Sequence, residues 1–131
     1  MRILKDKKGQ ALVEMALILP ILLLFIFGIT EFGRVFATDL VLNHAAREGA
    51  RAASVGSSDS DVLLIVKNRA LVLSLDSSKL IVSINPLEGS RCRGDAVTVK
   101  IEYPVKIYAP VISNIIGNSY IVSGETIMRI E

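Results

Sequence analysis

Apolar residues first gather near the N-terminus, where the stretch from Ala11 to Ile29 is broken by a single charge, Glu14. Its nineteen positions would give a helix of about 28 Å at roughly 1.5 Å per residue, close to the ~30 Å thickness of a bilayer's hydrocarbon core. The spacing therefore predicts a membrane-spanning helix over 11–29. Pro20 lies in mid-span, while Gly28 and Gly33 lie near its far end, and membrane helices tolerate such residues better than soluble ones. A bend is expected at Pro20.

Past Ile29 the pattern becomes amphipathic, with no strong breaker before Gly56-Ser57-Ser58. Phe32, Val35, Phe36, Leu40, Leu42, Ala45, Ala46, Ala50 and Ala53 form an apolar and small-residue side, and Arg34, Asp39, Asn43, Arg47, Glu48 and Arg51 a polar one. The helix is thus predicted to continue to Val55, and from Gln10 it would measure on the order of 70 Å.

The remainder, 56–131, reads as a small α+β head. Ser58-Asp59-Ser60-Asp61 has the form of a capping box ahead of the periodic run Val62 to Leu75, which predicts a second helix packing on the sheet that follows. Three stretches predict that sheet: Lys79 to Asn85, Ala96 to Val105, and Ser119 to Ile130. In the second, Val97, Val99, Ile101 and Tyr103 alternate with Thr98, Lys100 and Glu102, which calls for one buried and one wet face. Pro104 should fall at an edge or bulge. Ala109-Pro110 to Gly117 reads as a loop or one short helical turn. The fold class expected is α+β: a long N-terminal helix, one further helix and a roughly three-stranded antiparallel sheet, divided as a leader over 1–9, the long helix over 10–55 and the head over 56–131.

Composition supports a membrane segment, since 51% of the 131 residues are hydrophobic and mean hydropathy is +0.51, high for a small soluble domain. Charge refines the picture. Residues 1–9 carry Arg2, Lys5, Lys7 and Lys8 against Asp6, a net of three positive charges, so the rest of a chain of net charge +2 comes to −1. The basic excess belongs to the leader, which should stay cytoplasmic with the C-terminal part outside. With no basic and aromatic stripe elsewhere, a nucleic-acid partner is not expected.

Glu14 carries the chemistry. A carboxylate in an apolar helix costs about 2.5–3.5 kcal/mol at the bilayer centre and less near its boundary, so it calls for a partner or a route back to the headgroups. Just before it stands Lys7-Lys8-Gly9-Gln10, where Gly9 offers a narrow protease site a residue without a side chain. Cleavage after Gly9 would make Glu14 the fifth residue of a mature chain. The free amine of a neighbouring chain would then suit its carboxylate and reward one axial stagger.

Gly9 with Glu14 five residues on, ahead of a hydrophobic run, resembles type IV prepilins. Gly9-Gln10-Ala11-Leu12-Val13-Glu14 together with Leu19-Pro20, Glu31-Phe32-Gly33-Arg34 and Ala45-Ala46-Arg47-Glu48-Gly49-Ala50-Arg51 is similar to the TadE-like family, pseudopilins of the tight-adherence pilus system. Gln10 stands where the common pilin pattern has Phe. The resemblance implies insertion in the bacterial inner membrane, processing at Gly9-Gln10 by a prepilin peptidase, and assembly of an adhesive pilus with other pilins or pseudopilins and a platform protein. Glu14 would set subunit pairing and register, and Gly28, Gly33 and Ala37 would pack helices together.

Other chemistries find little support. His44, Arg47 and Arg51 share a helical face that suits an anion, a partner subunit or, more simply, a solvated surface with local Glu48 pairing. One histidine and one cysteine, Cys92, leave no metal-ligand spacing, no intramolecular disulfide and no evident triad. Asp59, Asp61, Asp76, Glu88 and Asp95 show no spacing that predicts a cluster. No enzyme activity, metal or cofactor is expected. Val35-Phe36-Ala37 resembles a signal-peptidase site, but Glu31 and Arg34 separate it from a run already long for a signal peptide, so retention is favoured. The rival reading is a chain that is never cleaved, a single-pass anchored module that binds or senses through its head.

Overall fold

The computed structural model describes residues 7–131, with side chains from Gly9 onward; Arg2, Lys5 and Asp6 of the leader, and the side chains of Lys7 and Lys8, lie outside the described residues. The elements run α1 (Lys7–Ser54), α2 (Asp59–Ala70), β1 (Ile81–Asn85), β2 (Ala96–Lys106), α3 (Pro110–Ile116) and β3 (Ser119–Arg129). This is an α+β fold of the kind expected, a long apolar N-terminal helix followed by further helices and an antiparallel sheet.

Helix α1 is continuous through Pro20 and is already helical at Lys7, the first described residue. The Gly9-Gln10 bond therefore lies within the helix rather than in extended chain. Its second half folds against the head with a 3-4 spacing of Glu31, Val35, Thr38, Leu42, Ala45, Gly49 and Ala53, all of them buried or partly buried. Most are small, which lets the other layers approach closely. A Cβ on Gly49 would meet Val66 at 2.9 Å, and one on Gly124 in β3 would stand 2.6 Å from the carbonyl carbon of Leu42. Sheet and helix touch there backbone to backbone.

The sheet order is β1-β2-β3, antiparallel throughout. Its register sets Ile101 against Val82 on one side and Gly124 on the other. Val97, Val99 and Ile101 are fully buried while Thr98, Lys100 and Glu102 are half-buried, as the alternation requires. β1 begins at Ile81 opposite Glu102, so at Pro104 strand β2 has a neighbour on one side only, where a residue without an amide proton is tolerated.

Three expectations need correction. α2 packs chiefly on α1 rather than on the sheet. It also stops at Ala70: Leu71–Leu73 tighten into a 3₁₀ turn, and Ser74 takes a left-handed φ of 53° that lets the Leu75 amide reach back to the Ala70 carbonyl at 3.3 Å. Its start is as expected, with the Ser58 hydroxyl accepting from the Asp61 amide at 3.2 Å. The third correction concerns the apolar side of α1. Phe32, Phe36 and Leu40 are exposed, leaving an uncovered stripe beside the packed one.

Candidate functional site

The proposed processing and pairing residues stand on a bare helix. From Gln10 to Phe27 every side chain of α1 is exposed, although Pro20, Leu23, Leu24 and Phe27 border a cleft shared with residues 109–112 of the head. This run is the single span among the described residues that is long and apolar enough to cross a membrane. Gly9 and Gln10 lie in α1 close to the first described residue, and a glycine within a helix lowers its stability by about 1 kcal/mol relative to alanine. The bond thus adjoins a residue that weakens the helix locally. Glu14 follows one turn later, exposed and without an ion-pair partner among the described residues.

Gly28 and Gly33 have open space where a Cβ would point. They do not share a face: five residues at about 100° each set them some 140° apart. Ala37 differs again, lining a cleft within the chain with Arg34, Thr38, Tyr103 and Lys106. The structure therefore leaves Gly33 and Gly28 free and occupies Ala37 internally.

At the point where bare helix becomes packed helix sits a pair the sequence presented only as flanking charges. Glu31 is 8% exposed. One carboxylate oxygen, Oε1, accepts the backbone amides of Tyr108 at 2.9 Å and Ala109 at 3.1 Å, and the other, Oε2, accepts Arg34 Nη1 at 2.9 Å. Arg34 in turn donates Nη2 to the Lys106 carbonyl at 3.2 Å and lies 4.6 Å from the centre of the Tyr108 ring. β2 has ended at Lys106, so these two amides have no ladder partner, and the carboxylate takes that place. Glu31 and Arg34 clamp the segment between β2 and α3 onto α1.

A second clamp holds the far end of the head. The nearly buried Arg91 bonds Asp59, the Ser57 carbonyl at 2.7 Å and the Pro86 carbonyl at 3.2 Å. Asp59 also accepts the Glu88 amide at 3.1 Å, and Glu88 accepts the Asp59 amide at 3.3 Å. Two of the five scattered acids therefore do meet, through reciprocal backbone bonds at the start of α2. Asp76 lies elsewhere, below its usual carboxyl range because the Ser78 hydroxyl and amide both donate to it.

The basic face is also rearranged. His44, Arg47 and Arg51 are exposed, but Glu48 pairs with Arg69 of α2 rather than with them. No group of three or more His, Cys, Asp or Glu side chains among the described residues could hold a metal ion. Cys92 is exposed and free.

Residues 9–51 match the family model described as TadE-like protein. The match begins at Gly9 and takes in Glu14, the bare run, the Glu31-Arg34 pair and most of the small-residue face. The end of α1 and the whole head, 52–131, lie outside the match. No curated protein and no solved structure matches the chain.

Proposed function

We propose that the protein is a pseudopilin of a Tad-type adhesive pilus, working by association rather than catalysis. The TadE-like match over residues 9–51 and a helix long and apolar enough to cross a membrane support a pilus-associated membrane protein. The observation that carries this reading is the bare half of α1, whose one carboxylate, Glu14, has no ion-pair partner among the described residues.

In this reading the basic leader holds the N-terminus in the cytoplasm and the head lies outside the inner membrane. A prepilin peptidase hydrolyses the Gly9-Gln10 bond and leaves Gln10 with a free amine. Gln10 and Glu14 are then about 6 Å apart along the helix axis. A neighbouring pilin-like helix displaced by that distance brings its amine level with Glu14, and wrong staggers leave the carboxylate unpaired in lipid. Gly28 and Gly33 give adjacent helices two places of close approach. The head meets other minor subunits or the platform through its sheet or the 86–95 loop.

One observation favours the rival, an uncleaved anchored module: α1 passes through the Gly9-Gln10 bond without a break. Intact-mass and N-terminal analysis of the protein from its native membrane separates the two. A chain beginning at Gln10 is expected, whereas a chain retaining Met1 in cells with active prepilin peptidase would transfer the reading to the anchored module.

A further inference from the structure

Helix α3 carries a feature that the pilus reading leaves unused. From Ile107 to Gly124 there are eighteen residues without a charge, in a head otherwise dense in charge. α3 lies in this stretch and is amphipathic: at about 100° per residue, Val111, Ile112, Ile115 and Ile116 fall on one side, with Ser113 and Asn114 on the other. Val111, Ile115 and Ile116 are exposed, Ile115 at 80%. Such a surface is out of place on a head surrounded by water.

Its location accounts for it. Ala109, Pro110, Val111 and Ile112 line one cleft with Pro20, Leu23, Leu24 and Phe27 of α1. Those four residues belong to the membrane run, and Leu24 lies roughly 8 Å inside the Ile29 end of that run. The uncharged stretch of the head thus stands beside the uncharged part of α1. Directly above it the charges resume, with Arg34 and Lys106 both held near the Tyr108 ring at 4.6 and 5.5 Å. An apolar helix face below and an aromatic ring with two cations above is the order of groups that a membrane–water boundary accommodates.

We propose that α3 is a second membrane contact, an interfacial helix seated in the leaflet from which the head emerges, with Val111 and Ile115 turned to the acyl chains and Asn114 toward the headgroups. The occupant of this apolar face is lipid, because the face is continuous with the exposed surface of the membrane helix. The Glu31-Arg34 clamp fixes α3 at that depth, since Glu31 binds the two amides that lead into it. The head therefore does not swing freely above the bilayer. This rests on residues 11–29 crossing the membrane and is independent of cleavage at Gly9.

The test places single cysteines in a Cys92→Ser background of the full chain, at Val111, Asn114 and Ile115 and at Leu17 as the membrane reference. Native Cys92 in the unsubstituted chain is the head reference. Each is labelled with an environment-sensitive fluorophore, and the protein is reconstituted in phospholipid vesicles containing acyl-chain nitroxide quenchers. Labels at Val111 and Ile115 should lose intensity nearly as Leu17 does, Asn114 less, and Cys92 hardly at all, with no dependence on protein-to-lipid ratio. Ile115 behaving like Cys92 while Leu17 is quenched overturns the proposal and leaves the span standing. Ile115 shielded only at high protein density, without lipid quenching, overturns it in favour of a second copy of the chain. An unquenched Leu17 removes the span and the proposal together.

Discussion

The two halves of α1 are one uninterrupted helix with opposite relations to the rest of the chain. From Gln10 to Phe27 it is built mostly of large aliphatic and aromatic residues, and every side chain is exposed. From Glu31 to Ser54 its inward stripe turns to alanine and glycine from Ala45 onward and is buried beneath α2 and the sheet. Bulk therefore appears where the partner lies outside the chain, and smallness where the partner lies inside it. Lipid or another helix can adapt to large side chains, whereas a sheet fixed by its own ladder needs a flat surface at a set distance.

That contrast can be broken most severely at Gly124. Alanine there forces its Cβ onto the backbone of Leu42 and Asn43, which cannot yield as a side chain tip would, so Gly124→Ala is expected to cost about 3 kcal/mol. Hydrogen exchange of the β2–β3 ladder amides in the full chain would read the loss. Next comes Glu31→Ala, which strands two buried amides and the Arg34 guanidinium, for roughly 2–3 kcal/mol in the same measurement. Glu31→Gln keeps an acceptor for the amides and should cost about 1 kcal/mol.

Gly49→Ala is expected to be milder, about 1 kcal/mol, because its nearest neighbour is the movable end of Val66. Gly28→Ala and Gly33→Ala sharpen the comparison from the other side. With open space around both, each should leave head exchange unchanged and raise helix stability by up to about 1 kcal/mol. If the bare half packs against neighbours, the same substitutions should lower the yield of assembled pili. Loss of head protection in either variant would mean that the uncovered surface of α1 is not independent of the fold.

Where the sequence could be read, the pattern was local. The alternation of β2, the Ser58 cap and the apolar run each declare themselves within a few residues, and the element order follows from them. The clamps could not be read this way, because Glu31 finds its amides at Tyr108 and Ala109, and Arg91 finds Asp59, across long stretches of chain. Glu31 also opens the inward 3-4 stripe with a charge, which conceals that the stripe begins there. Phe32, Phe36 and Leu40 were legible as apolar but not as uncovered, since helical period alone does not say which of two apolar sides a sheet will choose. Gly124 reads as a weak strand residue until the helix backbone is seen against it. At the candidate site, Gly9 and Glu14 were visible from spacing, while the helical state of the bond after Gly9 was not.

The central claim is that the bare half of α1 is an association surface whose register Glu14 sets. Photo-crosslinking from an unnatural residue at Leu17, in cells assembling pili, tests it most directly. Adducts with pilin-like subunits are expected, sharply reduced in a Glu14→Ala background. Adducts with lipid alone, or protein adducts unchanged by Glu14→Ala, would contradict it.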